Sequence, residues 1–342
     1  MKKKCLLILS LFFFANTFAQ DSLKTTIVPS KADNTAQDSL KNISKITEVP
    51  PADTTAEDDL MNILEEESPV EKKQKVFATF KSTYLINAQT NETVKKGTLD
   101  FRITHRFGDV AGSGGGIHNF YGFDNANNIR FSFDYGISDR LQLGIGRSKI
   151  GENIDGSIKY KIMEQVEKGF PVSIVAYANM VITPKLDLNN EFGAFVNRFS
   201  YSYQIIATTK INRKVSVGLL PTYIHRNMIH AATNSSNGAQ ETNDIFSAGI
   251  MGRVKITQSL ALIAEYFYTF SDFRMNNTTS PYYMPLGIGV EIETGGHVFQ
   301  MNLTNTAGIV NQDFIPTSPD SWLKGQYKLG FTISRVFGTV RQ

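Results

Sequence analysis

The chain has 342 residues, one cysteine and a formal net charge of +3. Lys2, Lys3 and Lys4 account for the excess, because the remaining basic and acidic side chains number 32 each, and nothing in this balance points to a nucleic-acid partner. The cysteine, Cys5, lies in the leader, so the mature chain has no thiol for a disulfide or a thiolate metal site.

The three lysines precede an apolar run over residues 6–15, and small residues follow at Thr17 and Ala19. This is the pattern of a secretory signal peptide over residues 1–19. The run is too short for a membrane-spanning helix, which needs about 20 apolar residues, and no later segment comes closer. Cys5 stands ahead of the run, the wrong place for a lipid-modified cysteine. Residues 20–75 are rich in Ser, Thr, Asp, Lys and Pro and carry no aromatic side chain. With little to bury, they read as a disordered periplasmic tether. The sequence Ala-Gln-Asp-Ser-Leu-Lys occurs from Ala19 and again from Ala36, whereas a solenoid needs at least about three copies. Leu60, Ile63 and Leu64 share one face of a short acidic helix, read as transient and without a partner.

Residues 76–97 admit three readings: a plug, a periplasmic collar or an extra strand. In this region aromatic residues crowd in and the hydrophobic period becomes two. Ile129, Phe131, Phe133, Tyr135 and Ile137 alternate with Arg130, Ser132, Asp134 and Gly136, which puts every apolar side chain on one face of a strand. The pattern recurs about twelve times over residues 98–338, many repeats being near the roughly 9–11 residues of a tilted membrane-spanning strand. It begins with Leu99, Phe101 and Ile103 and ends with Tyr327, Leu329, Phe331 and Ile333.

A soluble barrel shows the same period, so the connections decide the solvent. Short turns at 138–140, 212–213, 257–259 and 295–296 take turns with polar loops at 107–127, 183–198, 226–243, 271–284 and 306–324. A short outer loop at 147–152 and a long inner turn at 163–170 preserve the parity. Long loops at one rim and short turns at the other predict an all-β fold, a transmembrane antiparallel up-and-down β-barrel of the outer membrane.

Arg130, Asp134, Lys159, Lys161, Arg253, Lys255, Glu265, Glu291 and Lys328 fall on the face opposite the apolar one. A basic residue facing hydrocarbon at the midplane would cost about 2–4 kcal/mol. These nine are therefore expected to line a lumen, either wet or closed by mutual pairing. Tyr160, Tyr201, Tyr203, Tyr223, Tyr266 and Tyr268 fall on the outer face, as expected of interfacial girdles. The last strand ends near Phe337, which suits the barrel-assembly machinery, although Arg335 interrupts its apolar face.

Several short motifs add a resemblance. They are Thr79-Phe80-Lys81, His105-Arg106-Phe107-Gly108, Asp134-Tyr135-Gly136, Pro221-Thr222, His225-Arg226-Asn227 and Trp322, with Ile333-Ser334-Arg335-Val336-Phe337 at the end. The run Glu293-Thr294-Gly295-Gly296-His297-Val298-Phe299-Gln300 is the most specific. From Thr79 to Phe337 the chain resembles a family of uncharacterised membrane-bound β-barrel domains from Gram-negative bacteria. The resemblance implies an outer-membrane barrel and no chemistry, since the family is one of unknown function.

Five histidines, His105, His118, His225, His230 and His297, lack the spacing of a zinc hydrolase, and no strand carries His-x-Ser. His225 and His230 could share a metal with Asp244 or Glu241, but rim and loop histidines are ordinarily solvated. Gly112, Gly114, Gly115 and Gly116 suggest a phosphate cradle, yet no lysine follows at P-loop spacing and no helix is expected next. They read as a flexible outer loop. No catalytic residue, metal or cofactor is expected.

Three functions compete on these terms. The preferred one is a narrow channel or transporter for small polar solutes. The second is a structural or assembly barrel whose tether holds a periplasmic partner, and the third is an outer-membrane enzyme. Beyond that partner, only outer-membrane lipid and the assembly machinery are expected to touch the chain.

Overall fold

The computed structural model describes residues 74–338. The leader and all but the last two residues of the expected tether lie outside the described residues.

Among the described residues, twelve antiparallel strands close into one barrel, each pairing with its neighbours in sequence. They are β1 Thr98–Asp109, β2 Ala126–Gly136, β3 Leu141–Ser148, β4 Ile154–Met163, β5 Ser173–Ile182 and β6 Phe199–Lys210. There follow β7 Val215–Arg226, β8 Asp244–Lys255, β9 Leu260–Phe270, β10 Leu286–Thr294, β11 His297–Thr304 and β12 Lys328–Gly338. Closure is made by β1 on β12, with Thr98 opposite Gly338 and Ile103 opposite Ile333, and a bulge between Arg106 and Asp109. Closure leaves no unpaired strand edge, which a sheet in hydrocarbon cannot tolerate.

The two-residue period reads directly as outside and inside. On β2 the side chains of Phe131, Phe133 and Tyr135 are exposed, while those of Arg130, Ser132 and Asp134 between them are buried. Ile145, Tyr203, Leu219 and Ile250 continue the apolar outer face. Near the long-loop rim Tyr203, Tyr223 and Phe246 form a run of ring contacts with centroids 6.2 and 5.1 Å apart. Arg335 points outward at the opposite rim, its guanidinium 4.9 Å from the centre of the Phe337 ring. That stacking lets the cation sit at the interface without breaking the apolar band.

Residues 79–94 are largely buried inside the barrel, and the flanking residues 74–78 and 95–97 lie mostly exposed at its rim. The segment enters at the short-turn end, where Lys75 bridges to Val166 and Val76 donates to the Gln165 carbonyl. A tight hairpin follows, with Thr90 N–H donating to Thr83 O and Leu85 N–H to Ala88 O. The segment leaves beside the β2–β3 turn, where Val94 N–H donates to Gln142 Oε1 at 2.9 Å and Lys96 N–H to Asp139 Oδ1 at 3.0 Å.

From the other rim the β11–β12 loop, residues 305–327, also folds inward. Its α-helical turn Asn311–Phe314 buries Asn311, Gln312 and Phe314. The glycine loop after β1 leads into a short 3-10 stretch, Ile117–Gly122, contrary to the expectation that no helix follows. The stretch is not a phosphate-binding helix, since Phe120 and Tyr121 in its middle adopt left-handed backbone angles.

Candidate functional site in the bore

The lumen has two unlike walls. β5 to β9 supply the inward apolar side chains, among polar ones such as Gln204, Thr208 and Glu265: Val175, Tyr177, Ile206, Leu220, Ile224, Ile245, Met251, Ile263 and Phe267 form one core cluster. Phe80, Leu85, Ile86 and Ala88 of the inner segment join it from below, and Phe314 and Ile315 of the inward loop from above. Phe314 meets Phe267 edge to face at 4.9 Å. The remaining wall, β10 to β12 and β1 to β4, is polar and charged.

Two ion pairs neutralise each other in the lumen, one within that wall and one reaching it from β8. Arg130 donates to Asp155 through Nε at 3.0 Å and Nη2 at 2.7 Å. Arg253 Nε donates to Glu291 Oε1 at 2.7 Å, and Gln300 holds the other oxygen of Glu291. Strand β3 makes room for this packing with two inward glycines. A Cβ at Gly144 would lie 2.3 Å from Asp134 Oδ1, and one at Gly146 would lie 2.4 Å from Arg130 Nη2.

Other lumen groups grip the inner segment instead. Glu265 accepts the backbone N–H groups of Ile86, Asn87 and Ala88, at 2.8 Å for Ala88. Arg106 Nη2 donates to Asn87 Oδ1 at 2.7 Å. Lys159 Nζ donates to Thr83 O at 2.9 Å and sits 5.5 Å from the Tyr84 ring centre. Arg102 Nη2 donates to Ser82 and Thr83 hydroxyls and to Asp100. The segment thus satisfies its turn through side chains, because a loop in a bore has no ladder to complete.

All nine residues read from the sequence as lumenal lie on the inward face. Arg130, Asp134, Lys159, Glu265, Glu291 and Lys328 are buried, and Arg253 lies half-buried against Glu291. Lys161 and Lys255 are partly exposed near the short-turn rim. Lys328 reaches the opposite rim, between Asp109 at 2.8 Å and Asp320 at 2.5 Å. The sequence reading omitted Asp100, Arg102, Arg106 and Asp155. Period two marks them as plainly as the others, since they alternate with Leu99, Phe101 and Ile103 or follow Ile154.

The histidines do not assemble into a site. His225 Nδ1 lies 2.7 Å from Asp244 Oδ1 on the outside of the barrel, while Glu241 is held by Arg226 and Arg274. Among the described residues no three His, Cys, Asp or Glu side chains come together as metal ligands.

Several buried polar groups are unmet. Buried Arg102 Nε and Nη1, Arg106 Nε, Asp100 Oδ1, Asp134 Oδ2 and both amide atoms of Asn302 have no hydrogen-bond partner. These lie on β11, β1 and β2, one contiguous arc through β12, while further unpartnered atoms lie on β3, β6 and β7, on the inner segment and on the inward loop.

A closed antiparallel barrel with an apolar outer face and a polar inner arc is a membrane β-barrel. The chain belongs to the family described as membrane bound beta barrel domain (DUF5777), whose model matches residues 80–337. No curated protein matches the chain. Among solved structures it is similar to the NanC porin at 11% identity and TM-score 0.43, covering 71% of this chain and 100% of that one. It is also similar to an outer membrane channel from Pseudomonas putida F1 at 15% identity and TM-score 0.41, covering 72% and 98%. The KdgM porin, solved with disordered oligogalacturonate, follows at 8% identity and TM-score 0.40, covering 70% and 99%. These likenesses assign no function to this chain.

Proposed function

We propose that the chain is an outer-membrane channel for small polar solutes, shut in this conformation by its own residues 74–97 acting as a plug. The observation that carries the reading is the group of charged side chains on β1 and β2, Asp100, Arg102, Arg106 and Asp134, whose buried atoms lack partners. Each such atom forfeits about 1–3 kcal/mol of solvation, and apolar packing of equal volume would be the more stable filling for a barrel that is never wet. An arc of charges facing the bore makes physical sense if water reaches it when the plug departs. The leader and the alternation of long loops with short turns support the outer membrane as its location. The role is that of a conduit and involves no bond chemistry.

Departure is not spontaneous on this reading. Burial of Phe80, Leu85 and Ile86 alone contributes on the order of 5–8 kcal/mol, before the hydrogen bonds to Glu265 and Arg106. Opening then requires a solute, a partner or a pull on the chain that precedes residue 74. The same apolar packing favours a second reading, a permanently filled barrel that serves as a membrane anchor for the tether. Planar-bilayer recording separates them. The full mature chain should be nearly silent, and a variant lacking residues 20–94 should conduct steadily. A variant that inserts as a heat-modifiable barrel and stays silent, also when the inward loop turn 309–315 is removed, would leave only the anchor.

A further inference from the structure

Above the bore, the loops after β7, β9 and β11 enclose a cavity of about 260 Å³. Two arginines and one glutamate meet in its wall. Arg226 Nη2 donates to Glu241 Oε1 at 2.6 Å, and Arg274 Nη2 donates to both Glu241 oxygens at 3.0 and 3.1 Å. The Arg274 side chain is only 4% exposed, and its other donors are taken by Pro316 O at 2.8 Å and Ser271 Oγ at 3.1 Å. Arg226 is less complete: Nη2 also reaches Thr242 O at 2.8 Å and Nε is sealed from solvent without a partner, so Nη1 is the donor left to face the cavity.

Two guanidiniums share one carboxylate, so the cluster carries one uncompensated positive charge. A cation withdrawn from water without a full counter-charge is destabilising by several kcal/mol. No other carboxylate lines this cavity, while His230 lines it with further donor capacity. The rest of the wall is made largely of rings and methyl groups, including Pro281, Tyr282, Pro316 and Pro319. Tyr282 offers only its ring, since its hydroxyl is spent on Thr269 Oγ1 and Ile315 O.

We propose that this cavity is a binding site for a small anionic solute, one carboxylate or phosphate group paired with Arg226 and its body lying on the prolyl and tyrosyl rings. The charge calls for an oxyanion, which a guanidinium recognises with paired donors. The volume, near the lower end of the roughly 300–1,000 Å³ usual for ligand pockets, limits the occupant to a small molecule. The position adds meaning. Arg274 and Tyr282 hold the carbonyls of Pro316 and Ile315, next to Phe314, which fills the bore from the outside. A solute captured there stands at the outer mouth, in contact with the loop that obstructs it. The site is defined by the closed conformation and does not depend on whether the bore opens.

Calorimetric titration of the refolded full mature chain, in detergent with 150 mM chloride in both cell and syringe, provides the test. Benzoate carries a ring and a carboxylate, and inorganic phosphate carries the charge alone. Saturable binding of benzoate is expected if the rings contribute. Saturable binding of phosphate only would keep the anion site and identify the phosphate group as what it selects. Arg226→Gln should weaken whichever binds by about 10-fold or more, as loss of a charged hydrogen bond does. Arg226→Lys, which keeps the charge but not the second donor, guards against a folding defect and should fall between. Glu241→Gln should tighten binding, because it releases both guanidiniums to the ligand. No saturable heat with either anion overturns the site, as does wild-type affinity in Arg226→Gln with the barrel still heat-modifiable.

Discussion

Asp313 sits in the helical turn that enters the bore from the outer rim, and its two oxygens fare differently. Oδ1 accepts from Asn153 Nδ2 at 3.0 Å, while Oδ2 is sealed from solvent with no partner. Burial, with Asp155 adding to it against the Asn153 hydrogen bond, pushes the carboxyl up to about 7 from its ordinary 3.8. The folded state therefore keeps a proton that the unfolded chain gives up near pH 4. The stabilisation is complete below pH 4 and is lost as the pH rises through 7. Each unit is worth about 1.4 kcal/mol, and partial exposure of the residue reduces the total to about 1–3 kcal/mol. The melting temperature should fall between pH 5 and pH 8, and Asp313→Asn should flatten that slope and raise the value at pH 8. A slope unchanged in the variant would assign the pH response to another group.

Charge reversal in the lumen acts through partners. Arg253 faces Glu291, whose side chain is 1% exposed, so Arg253→Glu sets two carboxylates against each other. A loss of about 3–5 kcal/mol is expected, read as a lower heat-modification temperature, and the added change Glu291→Arg should restore part of it. Lys255 has surface near the rim and its reversal should be close to neutral for stability. Glu265→Gln exchanges a carboxylate for an amide beneath three N–H donors, a loss of about 2 kcal/mol or more. It should bring residues 80–94 within reach of protease in detergent before the barrel itself unfolds. Equal resistance in mutant and wild type would mean that the apolar contacts alone hold the segment.

At the scale of elements, the strands were legible because their outer faces meet lipid. The solvent is uniform, so apolar residues at every second position carry the whole signal, as from Phe131 to Tyr135. The inner faces meet a partner that varies around the barrel, and there the pattern is silent. Ile206 and Leu220 are as apolar as any lipid-facing residue, yet they are buried in one cluster with Phe80 and Leu85. Gly144 and Gly146 were a signal available in the sequence, since glycine at alternate inward positions beside strands bearing Asp134 and Arg130 marks side chains lying across. The loops obey the same logic. Asn234, in the middle of the β7–β8 loop, is fully buried by its amide bonds to Asp272 O, Phe273 O and Met275 O. Cysteine labelling of intact cells is therefore better placed at Asn237 for the outer loops and Arg213 for the inner turns, both exposed. An impermeant reagent should modify Asn237→Cys and spare Arg213→Cys, and the reverse result would invert the barrel.

For the whole molecule, the channel reading predicts a sequence of states rather than a single pore. Removal of residues 20–75 should leave insertion and closure intact, because the hairpin over residues 79–91 and its grip on Glu265 lie beyond the cut. Extending the deletion to residue 94 should open the bore in bilayers, and in that opened barrel Lys255→Glu should shift selectivity towards cations. If conductance appears on the first deletion, closure resides in the tether and not in the hairpin. Sequence by itself determined that this chain is an antiparallel membrane barrel of about twelve strands and that its outer face is apolar. Both follow from local rules: a period of two, a hydrocarbon thickness and the need to pair every backbone group. Only the tertiary structure decided what fills the bore. Glu265 meets Ala88, and Phe267 meets Phe314, across sequence separations that no local pattern spans. An inward residue carries no mark of whether water, another wall or the chain's own segment will lie against it.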